Sequence, residues 1–214
     1  MLKNFLFFKI NHLFLADTRK IAENIQSALP EIESMAIDKV FPNKVNVVVR
    51  ERGMIALWCQ TKEYTVEVGD SETKEAKSFR QCFALDKNGI LFEEKQPEGE
   101  VIISGEEKNA ALGDQVIDEE LLVNILRFQR EVDSFALFQE LGLRVSTLSV
   151  VSKERVHAKI SEGWEIYVNP AENIDWQITK VKLVLDQEVP AARRPNLEYI
   201  DLRFGDQAYV KYSR

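Results

Sequence analysis

Few side chains in this sequence are suited to chemistry, and their spacing argues against catalysis. Histidine occurs twice, as His12 and His157. A nucleophilic triad needs an imidazole base within reach of an activated Ser or Cys. Neither histidine stands in a segment that suggests one, and an isolated histidine is more often simply packed or solvated. The sequence contains no phosphate loop, dinucleotide fingerprint, HExxH pair, GxSxG elbow or EF-hand loop. Carboxylates are plentiful, with 35 Asp and Glu against 28 Lys and Arg and a formal charge of -7. Nothing singles out two of them as a general acid and base, so they read as a solvated acidic surface. Trp58, Trp164 and Trp176 fall in or beside expected strands and helices, where a large ring packs a core more often than it lines a ligand cage. No catalytic residue, cofactor or metal site is expected.

The two cysteines, Cys59 and Cys82, form no CxxC or Cys/His cluster, which argues against zinc. They flank a polar stretch between two expected strands. If those strands lie side by side the thiols can form a disulfide, closing a loop of some twenty residues worth roughly 3 kcal/mol. Two small buried thiols are the other reading. An acidic chain without a Lys/Arg stripe is a poor match for a phosphate backbone, so no nucleic-acid partner is expected. The apolar stretch from Leu2 to Leu15 is interrupted by Lys3, Asn4, Lys9, Asn11 and His12, too short and too polar for a membrane span.

The elements that would position these residues follow from periodicity. Asp17 is placed to cap a helix over Thr18–Leu29, with Ile21, Ile25, Ala28 and Leu29 on one face. Strands are expected at Ser34–Val40 and Lys44–Glu51, around a turn at Phe41-Pro42-Asn43; Val45, Val47 and Val49 would be the buried side of the second. After Gly53 the pattern is mostly β. Met54–Gln60 and Glu63–Val68 read as a hairpin and Gly69–Ser78 as an exposed loop. Phe79–Leu85 reads as a strand, followed by the Asp86-Lys87-Asn88-Gly89 turn, Ile90–Phe92 and a short strand at Val101–Ser104. The longest helix is expected over Asp118–Leu141, with Leu122, Ile125, Leu126, Gln129, Val132 and Ala136 at helical spacing and Gly142 ending it. Strands at Leu143–Val151, Arg155–Ile160 and Trp164–Val168 follow, then a helix over Ile174–Asp186. The strands Leu197–Phe204 and Gln207–Ser213, joined at Gly205-Asp206, complete the pattern.

Three segments, in order, resemble one family. Leu29-Pro30-Glu31-Ile32 followed by Phe41-Pro42-Asn43-Lys44-Val45-Asn46-Val47-Val48-Val49-Arg50-Glu51-Arg52 is similar to the end of a FtsQ-type POTRA domain. Phe83-Ala84-Leu85-Asp86-Lys87-Asn88-Gly89-Ile90-Leu91-Phe92 is similar to the hairpin that opens the β domain of FtsQ/DivIB cell-division proteins. Leu197-Glu198-Tyr199-Ile200-Asp201-Leu202-Arg203-Phe204 with Gln207-Ala208-Tyr209-Val210-Lys211 resembles that family's terminal strand pair.

The resemblance implies an α+β fold: a partial POTRA unit over residues 1–53, then a mainly antiparallel β domain over 54–214 with one long helix packed on the sheet. It implies a non-enzymatic scaffold of the divisome on the extracytoplasmic face of the cytoplasmic membrane at the septum. Lys3 to Phe8 looks like the link between the two POTRA helices, so the membrane anchor and the first POTRA strand and helix are expected to be missing from this chain. The partners implied are other divisome membrane proteins, FtsB-like and FtsL-like, received partly by strand addition. The matching positions are Arg203, Phe204, Tyr209, Val210, Lys211 and Tyr212. A last strand with one unpaired edge is a physical template for a guest strand, with Tyr209 and Tyr212 offering contact area and Lys211 and Arg203 offering charge to an acidic peptide; the other reading is a solvated edge on which Lys211 guards against aggregation. The alternatives are an outer-membrane assembly or secretion factor bearing POTRA, whose barrel strands are not evident after Gly53, and an unrecognised hydrolase on an α+β fold.

Overall fold

The computed structural model describes residues 16–41, 43–67, 74–98, 101–105 and 109–213, with the backbone alone at 64–67 and 74–77. The apolar stretch 2–15 with His12, Pro42 of the expected turn, and 69–73 of the expected loop lie outside the described residues. The chain divides into two compact units between Arg52 and Gly53.

In the first unit, α1 (Thr18–Ala28) starts at Asp17, whose carboxylate accepts from Lys20 N. Strands β1 (Ile32–Val40) and β2 (Lys44–Glu51) pair antiparallel. Met35, Ile37 and Lys39 are register partners of Val49, Val47 and Val45 and share a face with them. Yet all eight residues of β2 are exposed, so the expected half-buried strand is corrected. Among the described residues this two-stranded ribbon has only α1 to bury against, and α1 lies along β1 rather than β2.

The second unit is built on one mixed sheet of nine strands, ordered β11-β10-β9-β8-β7-β6-β3-β4-β5. They are β3 (Ala56–Glu67), β4 (Lys74–Leu85), β5 (Leu91–Glu94), β6 (Ile102–Gly105), β7 (Val145–Ser152), β8 (Arg155–Ile160), β9 (Glu165–Val168), β10 (Leu197–Phe204) and β11 (Gln207–Tyr212). The pairings β3/β6, β6/β7 and β9/β10 are parallel and the other five antiparallel. The fold is therefore α+β, with helices packed on a mostly antiparallel sheet. The expected hairpin over 54–68 is corrected to one strand. β3 runs through Thr61 and Lys62 in unbroken register with β4, from Ala56↔Leu85 to Glu67↔Lys74, and residues 74–78 of the expected loop belong to β4. Neither Thr61 nor Lys62 offers the positive φ that a tight hairpin turn requires. Gly89 does, at φ 76, and the Asp86 carboxylate accepts from Asn88 N and Ile90 N to close that turn.

The expected single long helix is two: α2 (Glu119–Asp133) and α3 (Ala136–Leu141). The break has identifiable causes. Asp133 turns its carboxylate to Val145 N at 2.7 Å, and Phe135, extended at ψ 138, packs edge-on against Phe138 at 6.1 Å. Gly142, at φ 64, ends α3. Leu122, Ile125, Phe128 and Val132 of α2 are fully buried with Trp58, Leu148, Trp164 and Ile166. A fourth helix, α4 (Ile174–Gln187), starts at Asn173 and buries Ile174, Val181 and Leu185 in the same core. Leu57, Cys59 and Cys82 form a small separate cluster with Met54 and Ile102. Cys59 and Cys82 are direct register partners joined by a disulfide.

Candidate partner-binding site

The strongest candidate site is the β10–β11 end of the sheet. β10 is buried at Leu197, Ile200, Asp201 and Leu202, and β11 is the outermost strand. Among the described residues no strand pairs with its outer edge, so its outward backbone groups are free to receive one. Period-two alternation splits β11 between two faces. Ala208, Val210 and Tyr212 pack against the core, whereas Gln207, Tyr209 and Lys211 are exposed.

A groove of about 520 Å³ runs beside β11 on the helix side, lined by Trp176, Lys180, Leu183, Val184, Val210 and Tyr212 among others. Arg193 stacks on the Tyr212 ring, with its guanidinium carbon 4.0 Å from the centroid, and Tyr212 donates to the Glu188 carbonyl. Trp176 and Leu183 leave large apolar surface exposed in this groove.

The turn that leads into β11 is irregular. The register steps from Asp201↔Tyr209 to Phe204↔Gln207, so Leu202 and Arg203 oppose Ala208 alone, a bulge. On the exposed side, Arg203 donates from Nε and from Nη2 to the two carboxylate oxygens of Asp201, at 2.9 and 2.6 Å. Burial pushes the Asp201 carboxyl up, but the bonds from the Arg203 side chain and backbone outweigh it and hold it below its usual range. On the helix side, buried Lys180 of α4 donates to the carbonyls of Leu202, Gly205 and Gln207. Desolvation lowers the Lys180 pKa. One turn earlier in α4, Trp176 Nε1 donates to Asp206 at 3.1 Å.

The exposed face beside β11 carries a ladder of stacked rings. His157 on β8 stacks on Tyr167 of β9 at 4.0 Å, and Tyr167 on Tyr199 of β10 at 4.8 Å. Lys211 lies over the Tyr199 ring and pairs with Glu198 at 2.7 Å. The Glu198 hydrogen bond raises the Lys211 pKa. Arg155 donates to His157 Nε2 at 2.9 Å, which requires that nitrogen to be unprotonated. Burial, then the Arg155 charge, push the His157 pKa down.

The structure thus brings Arg203, Phe204, Tyr209, Val210, Lys211 and Tyr212 to one edge. It does not bring them to one face. Tyr209 lies edge-on to Phe204 at 5.2 Å on the exposed side, whereas Tyr212 points to the groove. Arg203 is committed to Asp201 and Lys211 to Glu198. Cys59 and Cys82 lie on β3 and β4, at the other end of the strand order. Sequence reasoning missed the groove wall. Its signal was present in α4, where Trp176, Lys180, Leu183 and Val184 recur at helical spacing beside the core stripe of Ile178, Val181 and Leu185.

Among the described residues no helix is long and apolar enough to cross a membrane. Residues 9–52 match the family model of the FtsQ-type POTRA domain. Residues 77–203 match that of the C-terminal region of the cell division protein FtsQ/DivIB. A search of curated protein sequences found no match.

Proposed function

This chain belongs to the FtsQ/DivIB family of cell-division proteins, and from that premise we propose that it is a divisome scaffold whose β10–β11 edge captures a strand of a partner protein. Family membership brings a role in cell division without enzymatic activity. The finer reading is ours: the partners are FtsB-like and FtsL-like membrane proteins, met on the extracytoplasmic face. Residues 1–53 act as a POTRA-type unit and 54–214 as the β domain that carries the site.

The observation that supports this reading is the outer edge of β11, unpaired among the described residues, beside a groove of mixed lining in which Trp176, Leu183 and Val210 alternate with Glu188, Arg193 and Asp206. A guest strand would gain main-chain hydrogen bonds from the edge and place alternate side chains on its two sides. Those on one side would meet Trp176, Leu183 and Val210 in the groove. Those on the other would meet Phe204, Tyr209 and Lys211, all well exposed. The paired charges Lys211–Glu198 and Arg203–Asp201 keep solvated charge at the edge and discourage indiscriminate strand addition.

The test is proline at Val210 or Tyr209, whichever N–H points away from β10, assayed with the extracytoplasmic segment of the FtsB-like protein from the same organism. Proline removes an edge donor and crowds the approach. Affinity should fall about tenfold or more, the equivalent of one net hydrogen bond, with the thermal unfolding midpoint unchanged. Wild-type affinity in a folded variant places the partner elsewhere.

A further inference from the structure

We propose that Lys180 is a positioning residue for the docking edge: its buried ammonium holds the β10–β11 bulge and turn in the one geometry from which β11 presents its outer backbone groups. The inference rests on the docking reading above, and it comes from an interaction that stability alone explains poorly.

Lys180 is 4% exposed. The hydrogen-bond partners of its ammonium are three backbone carbonyls, those of Leu202, Gly205 and Gln207, while the carboxylates of Glu172, Asp206 and Asp201 attract it without a direct bond. Burying an ammonium forfeits hydration that carbonyl dipoles and more distant carboxylates only partly replace, and at Lys180 desolvation outweighs both. An apolar side chain of the same length would pack between α4 and the sheet without that loss. The charge therefore contributes something other than bulk stability, and its three contacts point to what. Leu202 lies in the bulge, Gly205 in the turn at φ 51, and Gln207 is the first residue of β11. A bulge leaves a backbone carbonyl off the ladder and lets the strand bend. One cation that binds a carbonyl before, within and after the turn removes that freedom. Its three N–H donors fit this task where a carboxylate or amide would not.

The same helix makes a second tie one turn away, from Trp176 Nε1 to Asp206. On the opposite face Asp201 and Arg203 fix the other side of the bulge. The turn is thus held from both faces at its base, while among the described residues no strand pairs with the outer edge of β11. Ordering the edge before a partner arrives removes an entropic cost from binding, and preorganisation of this kind appears as affinity.

The experiment compares the wild-type chain with Lys180→Met and Lys180→Arg, by amide hydrogen exchange and by affinity for the FtsB-like extracytoplasmic segment. In Lys180→Met, the amides from Gly205 to Tyr212 should exchange about tenfold faster or more while those of β7, β8 and β9 keep their protection. Affinity should fall by a similar factor. Lys180→Arg, which retains charge and several donors, should recover most of both. Wild-type exchange at β11 in Lys180→Met overturns the proposal. So does an even loss of protection across the whole sheet, which would make Lys180 an ordinary stabilising residue. If Lys180→Met does not fold, Lys180→Gln takes its place under the same criteria. If the proline variant at the edge still binds, the docking reading falls and the exchange data alone judge Lys180. Faster exchange confined to residues 205–212 then keeps its positioning role, and unchanged exchange ends it.

Discussion

The strand pairs β1–β2 and β10–β11 look alike in sequence and differ in what they achieve. Each ends in a strand with apolar residues at every second position: Val45, Val47 and Val49 in β2, and Ala208, Val210 and Tyr212 in β11. Each of those strands has a single neighbour among the described residues. In β11 the alternating set packs onto the core beside α4. In β2 the same kind of set stays exposed, with Val47 at 52%. Periodicity therefore reports which side chains share a face and is silent on whether anything covers that face. A free edge is suited to docking when its strand is already anchored on one side, and among the described residues that condition is met by β11 and not by β2.

The largest effect that tests this contrast is in the anchoring strand. Ile200 on β10 is fully buried, and Ile200→Ala should cost about 2–5 kcal/mol, the range for truncating a core aliphatic. Denaturant unfolding should show a lower midpoint with the slope preserved. Ile37→Ala, at a half-buried site on β1, should cost far less. Equal losses at the two sites would erase the distinction between the hairpins.

A smaller effect concerns the β3–β4 ribbon. β6 pairs with β3 only at Leu57 and Trp58, and β5 with β4 only from Phe83 to Leu85. Among the described residues no strand flanks the ribbon beyond those pairings; the Cys59–Cys82 bridge sits where the flanking strands stop, next to Gln60, whose buried amide exchanges hydrogen bonds with the Ala110 backbone. Replacing both cysteines by alanine should cost about 3 kcal/mol on the loop-entropy model. Protection should be lost first at Thr61–Glu63 and Ser78–Arg80, the register partners beyond the buried Gln60. An unchanged unfolding midpoint would mean that the ladder alone holds the ribbon.

Much of this architecture was legible because the signals were local. Asp17, Asn173 and Asp118 cap their helices through side-chain oxygens. Gly89 and Gly205 supply the positive φ their turns need, and β10 ends where Gly205-Asp206 interrupts the alternation. The helix break at Ser134–Phe135 was not legible, since it depends on Asp133 reaching Val145 twelve residues away. The continuity of β3 was missed because pairing with β4 overrides the polar Thr61-Lys62 step. That β11 ends the chain's last hairpin was legible, but the contacts of Lys180 to its turn were not. Three carbonyl contacts to a side chain more than twenty residues earlier leave no trace in periodicity.

The ring ladder beside β11 gives a pH-dependent test. The folded chain holds the His157 pKa below 6.5. Above that pH both folded and unfolded chains carry a neutral imidazole. As pH falls the unfolded chain takes up the proton first, so stability is lost between about pH 6.5 and the lower folded value. Protonation would also cost the hydrogen bond from Arg155 and set a cation near Arg155 and Arg203, against which Glu165 and Asp201 compensate only in part. Comparing unfolding free energies at pH 7.5 and 5.5 for wild type and His157→Phe, which keeps a ring in the stack, isolates the contribution. The variant should lose less stability than wild type on acidification. An identical loss would show that other groups set the slope.

The smallest effect expected is at β2, and it bears most directly on the contrast. Val47 sits mid-strand with Ile37 as its register partner, on the face that α1 shares, yet more than half of its surface is open to water. Val47→Lys keeps the stem of the side chain along that surface and adds a solvated charge. Surface substitutions of this kind change stability by no more than about 0.5 kcal/mol, less the modest loss of β-propensity. At Val210, where the alternating set is packed, the same substitution would force an ammonium toward the core and should be strongly destabilising. Denaturant midpoints of the two variants, measured side by side, would then separate widely. A loss of about 2 kcal/mol or more at Val47 would mean that its face is covered in solution, and β2 would join β11 as an anchored strand.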